Sequence, residues 1–123
     1  MASSDEFLEL LRDQLSGLGS IRIRRMFGGA GVYCDGVMFA LVSDDTLYLK
    51  ADDVNRSDFE ARSLAPFRYA TRNGRTTIMS YWRAPDDLLD DTDELATWAR
   101  AALAAARRAQ QKKPKRIRTP AET

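Results

Sequence analysis

Residues 24–35 read RRMFGGAGVYCD, two arginines running through a methionine and an aromatic into three glycines crowded within four positions. Taken as a phosphate-binding loop, the stretch makes the chain a nucleotide enzyme; taken as a bend, it makes the chain a sheet protein. A Walker A loop needs a lysine and then Ser or Thr after its last glycine, and here Gly28-Gly29-Ala30-Gly31 leads into Val32 and Tyr33. A dinucleotide fingerprint opens a helix, whereas here a second strand-like run follows. Glycines between strands mark a bulge, a sharp bend or a close approach of two backbones. The stretch therefore reads as a bend, with anion or partner binding by its arginines as the alternative.

Working outward, Ile21, Ile23, Arg25 and Phe27 share one face of a strand that ends at Gly28, and Arg22, Arg24 and Met26 share the other. Upstream, Ser3 and Glu6 have capping-box spacing, and Phe7, Leu8, Leu11 and Leu15 recur at helical intervals, which predicts a helix over 4–16 closed by Gly17 and Gly19. Downstream, Asp35-Gly36 joins strand-like runs at 31–34 and 37–42, a strong hairpin signal, and a turn at 43–45 leads into a strand over 46–50. A short helix is expected over 52–63, opened by Asp52 and Asp53. Runs at 67–71 and 76–81 flank Arg72-Asn73-Gly74-Arg75, whose Asn-Gly centre favours a type I′ turn. Asp91 and Glu94 open a last helix through Leu95, Trp98, Ala99, Ala102 and Leu103 to Arg108. The order implies an α+β two-layer domain: a mostly antiparallel sheet of five to six strands with N-terminal, middle and C-terminal helices.

The 123 residues suit one domain, over 1–108, with 109–123 as a flexible basic tail. No apolar run approaches a membrane span, and the acidic start MASSDEF is unlike a signal peptide, so a cytoplasmic protein is expected. The single cysteine, Cys34, fits a reducing compartment. Histidine is absent altogether, which removes imidazole metal ligands, Ser/His and Cys/His nucleophile pairs, and the usual general base near neutral pH. No catalytic residue, metal site or cofactor is therefore expected. Cys34, with no base to activate it, reads as a small core hydrophobe. The acids between Asp86 and Glu94 lack the order of an EF-hand loop and suit a helix N-terminus.

Charge is unevenly spread. Arg107, Arg108, Lys112, Lys113, Lys115, Arg116 and Arg118 fall in one acid-free run, leaving residues 1–106 at about −5 and the remainder at about +6. Such a run attracts nucleic acid phosphates without reading sequence, and no aromatic is interleaved to stack on bases; a purely solubilising tail is the rival reading. Tyr81-Trp82-Arg83 sets two large aromatics beside an arginine at a strand end, either as core or as a partner anchor.

RRMFGGAGVYCDGVMFALVSDDTLYLKAD, then PFRY, then SYWRAPDDLLDD before a terminal helix, together resemble the N-terminal domain of the TfoX/Sxy family of bacterial competence regulators over nearly all of 5–108. That resemblance implies a transcriptional co-regulator rather than an enzyme, in some members acting with the cyclic-AMP receptor protein. It also implies a copy of the domain without the second, helical domain of longer members. The expectation is a regulatory or adaptor domain that binds a protein partner, drawn from the transcription machinery, through Arg24, Arg25, Gly28, Gly29, Tyr81, Trp82 and Arg83. An accessory nucleic-acid binder working through the basic tail is the alternative. A homodimer through a sheet edge or a Trp82 surface is left open.

Overall fold

In the computed structural model, which describes residues 4–26 and 29–112, the first apolar stripe forms α1 (Asp5–Gln14). Its cap is Ser4 rather than Ser3: the Phe7 N–H donates to Ser4 Oγ at 3.2 Å, and Asp5 and Glu6 fill the first turn where the helix dipole favours acids. Ser3 lies outside the described residues. Leu8, Leu11 and Leu15 turn into the core, and a single 3-10 turn (Ser16–Leu18) leads to Gly19, whose φ of 154° lies close to the extended range.

Four strands follow as a meander, β1 (Ile21–Met26), β2 (Gly29–Cys34), β3 (Val37–Ser43) and β4 (Thr46–Lys50); then come α2 (Arg56–Ala61), β5 (Pro66–Thr71), β6 (Gly74–Arg83) and α3 (Thr92–Lys112). The six strands make one sheet in the order β1-β2-β3-β4-β6-β5, every neighbouring pair antiparallel. This is the expected α+β architecture. Asp35 and Gly36, with φ of 51° and 86°, form the left-handed pair that a two-residue hairpin demands. Asp44 and Asp45 (φ 56° and 54°) make the next turn in the same way without a glycine, since Asp tolerates that region best among bulky-polar residues after Asn. The β5–β6 turn differs from expectation. Thr71 pairs with Gly74, so Arg72 and Asn73 are the loop residues, and Gly74 (φ 120°) spends its freedom as the first residue of β6.

Two helices also differ in extent. The middle helix begins at Arg56 instead of residue 52, because side chains capture the preceding backbone: Asn55 Oδ1 accepts from the Asp52 N–H (2.8 Å), Asp52 Oδ1 accepts from the Val54 N–H (3.0 Å), and Asn55 Nδ2 donates to the Lys50 carbonyl (3.0 Å). The last helix is longer than expected and runs to Lys112. Asp91 caps it, accepting from the Glu94 N–H at 3.1 Å, and its alanine-rich sequence carries it on towards Pro114.

All the helices lie on one side of the sheet. Leu11, Leu95, Ala99 and Ala102 from α1 and α3 meet Val32, Ala40, Val42, Leu49 and Trp82 from the strands in a single core. A bulge sharpens this layer. Val32 pairs with Ala40 but Tyr33 pairs with Met38, so Phe39 is the extra residue and joins Ala40 on the core side, fully buried. Trp82 packs against Phe59 (ring centroids 6.0 Å apart), and its Nε1–H donates to the Met79 carbonyl at 2.9 Å.

Candidate functional site

Strand alternation divides the residues expected to bind a partner between the two faces of the sheet. Leu49 pairs with Trp82 on the core side, so the flanking pairs Lys50–Tyr81 and Tyr48–Arg83 face the other way. Likewise Arg25 pairs with Ala30 on the core side, where its guanidinium bonds Asp5 at the start of α1, while Arg24, paired with Gly31, faces away with Arg22. Trp82 is 5% exposed and is a core residue; an exposed Trp82 anchor is thereby corrected. Tyr81, one position earlier, is half-buried on the open side, where burial first and the neighbouring Tyr33 second push its phenol up to about 12. Arg83 reaches Asp86 at 3.0 Å. Gly28 lies outside the described residues.

The open face has its own construction. Gly29 is placed where a Cβ would sit 2.2 Å from the Val42 carbonyl oxygen, so β2 and β3 approach as only glycine allows. At Gly31 a Cβ would meet the methyl ends of Met26 (2.9 Å) and Met38 (3.2 Å), which cross over the glycine from both sides. The close backbone approach expected of these glycines is thus found at Gly29, between β2 and β3. Tyr48 meets Phe67 edge-on at 4.8 Å, and Phe67 stacks on Tyr69 at 5.7 Å, which puts both β5 rings on this same face. Lys50 Nζ sits 5.1 Å above the Tyr81 ring. All four tyrosines of the chain therefore share the face that the helices leave uncovered among the described residues.

Two depressions mark this face. One, of about 130 Å3, is lined mainly by Met26, Met38, Leu41 and Phe67. The other, of about 400 Å3, lies along the β1 edge between Arg22, Arg24 and Tyr33, with Ser20, Asp35 and Gly36 at its end. The salt bridges among the described residues engage Arg25, Arg56, Arg83, Arg107 and Arg108, and none takes up Arg22 or Arg24. Sequence reasoning passed over Tyr33, Tyr48, Lys50, Phe67 and Tyr69. The signal was present for Tyr33, Tyr48 and Lys50, since each alternates with core residues along its strand, but Phe67 and Tyr69 lie on a strand with no buried residue among those described, and the convergence needs the sheet order.

The basic run is partly spent on the fold. Arg108 forms a two-pronged ion pair with Asp52, Nε to Oδ2 at 2.7 Å and Nη2 to Oδ1 at 2.9 Å, which joins α3 to the turn before α2. Those bonds hold the Asp52 carboxyl down at about 2. Arg107 lies 3.9 Å from Asp35. Lys112 ends α3, and Lys113, Lys115, Arg116 and Arg118 lie outside the described residues. Elsewhere, Cys34 is fully buried and burial pushes its thiol up, consistent with a packing role. On the helix side, a groove of about 340 Å3 between α2 and α3 is occupied along one wall by Trp98, with the Arg62 guanidinium 5.4 Å from its ring.

A six-stranded antiparallel sheet with one helical layer and an aromatic, basic open face defines a small two-layer α+β domain. The chain belongs to the TfoX N-terminal domain family, whose model matches residues 13–106. It is also 27% identical over 95 residues to the protein Sxy of Escherichia coli strain K12, an alignment covering 77% of this chain and 45% of Sxy. The chain thus spans less than half the length of that curated relative. No described helix is long and apolar enough to cross a membrane.

Proposed function

We propose that this chain is a non-enzymatic regulatory domain of gene expression, of the kind the TfoX/Sxy resemblance implies, that works by docking a macromolecular partner on the open face of its sheet. The observation that carries this reading is the segregation of tyrosines and uncommitted arginines onto the one face without helices, where they support no core. In this reading Arg24 and Tyr81 belong to that surface and Gly29 supports it from within the sheet. Arg25 and Trp82 serve instead to attach the helical layer, and Arg83 borders the site through Asp86.

The test is a double reversal, Arg22→Glu with Arg24→Glu, in the full chain. Neither arginine supports the core, so the melting temperature should stay within about 2 °C of the parent. Overproduction of the parent chain in its own cells should shift a defined set of transcripts, and the double variant should lose that shift. A variant that folds normally and regulates as well as the parent would sink the docking reading.

A nucleic-acid arm formed by the basic run is the second reading. It loses two of its members to the fold, since Arg108 is committed to Asp52 and Arg107 lies beside Asp35. What remains of it rests on the charge of residues 112–118.

A further inference from the structure

We propose that the partner of the open face is a single-stranded nucleic acid, bound by base stacking on its tyrosines and by phosphate contacts from Arg22, Arg24 and Lys50; this rests on the docking reading above. The first support is charge. Although residues 1–106 are net acidic, the six strands hold seven arginines and lysines and no aspartate or glutamate at all. Of these, Arg22, Arg24, Lys50 and Arg83 lie on the open face by strand alternation, so that face carries strand cations and no strand carboxylate, and a polyanion is favoured there.

The second support is the kind of ring and its placement. Tyr33, Tyr48, Tyr69 and Tyr81 spread from β2 to β5, with Phe67 bridging Tyr48 and Tyr69. Tyr69 is 42% exposed, and the Tyr33 ring lies beside the groove that Arg22 and Arg24 line. A sheet whose face offers aromatic platforms between cations is the arrangement that holds unpaired bases, because every base has a flat face and every linkage a charge. Six strands at about 4.8 Å spacing span roughly 24 Å, room for a site of about four nucleotides.

Other occupants fit less well. A second copy placed face to face would bring the same cations into the interface, with no strand carboxylate on either face to pair with them. A duplex keeps its bases stacked inside and cannot use the rings. This site is separate from the basic run after Arg107, which has no aromatic among its charges.

The decisive experiment measures anisotropy of fluorescein-labelled 12-mers, as single-stranded DNA, single-stranded RNA and duplex DNA of one mixed sequence. It uses the full chain and a full-length version with Lys113, Lys115, Arg116 and Arg118 changed to Ser. With both versions, a single strand should bind more tightly than the duplex. Raising salt from 50 to 200 mM should weaken single-strand binding about 15-fold, as expected for about three phosphate contacts. In the Ser-substituted chain, Tyr33→Leu should weaken single-strand binding about fivefold or more, and Arg22→Ser with Arg24→Ser should flatten the salt dependence, both with unchanged melting temperature. Preference for DNA or RNA names the strand; either supports the site. Equal duplex binding, indifference to the face variants, or loss of binding on Ser substitution of the basic run overturns the inference. If no single strand binds while Arg22→Glu with Arg24→Glu still abolishes regulation in cells, the inference falls and the docking face stands with a protein as its partner.

Discussion

The two faces of the sheet are built from the same strands and do opposite work. On the core side, Val32, Ala40, Leu49 and Trp82 are almost wholly out of water and fasten the helices. On the open side, residues one position away, Tyr33, Leu41, Lys50 and Tyr81, are half-buried, and Lys50 lies over the Tyr81 ring. An antiparallel sheet can leave one face to solvent, and that face then normally reads as polar. Here it reads as aromatic and basic, so the ordinary stability argument explains one face and does not account for the other.

The sharpest way to break this comparison is at adjacent positions. Trp82→Ala removes a ring packed on Phe59 and the donor that satisfies the Met79 carbonyl, and should cost about 3–5 kcal/mol, seen as a large fall in the urea midpoint. Tyr81→Ala, one residue earlier, empties no core space and should cost about 1–2 kcal/mol. Equal losses at the two positions would mean that the open face is structural after all.

Gly29→Ala comes next in size. Its Cβ would lie 2.2 Å from a backbone oxygen that cannot rotate away, so β2 must part from β3, and about 2–3 kcal/mol of stability should be lost in chemical denaturation. At Gly31 the obstacles are two methionine ends that can swing aside, and the same change should cost less than half as much. A neutral Gly29→Ala would sever the link between the glycine pattern and the close strand crossing.

How much of this was legible in the sequence follows from the range of each interaction. The sheet was legible because Asp35-Gly36 and the period-2 runs act between neighbours, and β1's two faces, Arg22 and Arg24 against Ile21 and Ile23, were read correctly from alternation alone. The fold's misreadings were also local, at Asn55, where a side chain rewrites the turn before α2, and at Gly74, one place off in its loop. The site was less legible. Tyr33, Lys50 and Tyr69 come to share one face only through the order β2-β3-β4-β6-β5, which no single strand encodes. Arg108 looked like one more charge in a basic run, because its partner Asp52 is 56 positions away.

That ion pair gives the smallest and most specific of the expected effects, and it belongs to the fold rather than to the open face. Arg108 holds the Asp52 carboxyl at about 2, against 3.8 for the free side chain, so the folded state favours the charged form. The resulting stability is complete above the unfolded value and is lost as pH falls through the interval between about 4 and 2. Side-chain exposures of 25% for Asp52 and 36% for Arg108 screen the pair, which reduces its contribution to about 1 kcal/mol. Asp52→Asn, which keeps an acceptor for the Val54 N–H, should therefore cost about 1 kcal/mol in urea at pH 7. The difference should shrink as pH falls through this interval, because the parent carboxyl is progressively protonated. Because the pair ties α3 to the turn before α2 and touches no residue of the open face, the same variant should bind its partner as the parent does. A gap that persists undiminished to about pH 2 would assign the loss to packing, and a loss of partner binding at neutral pH would bring the basic end of α3 back into the interaction surface.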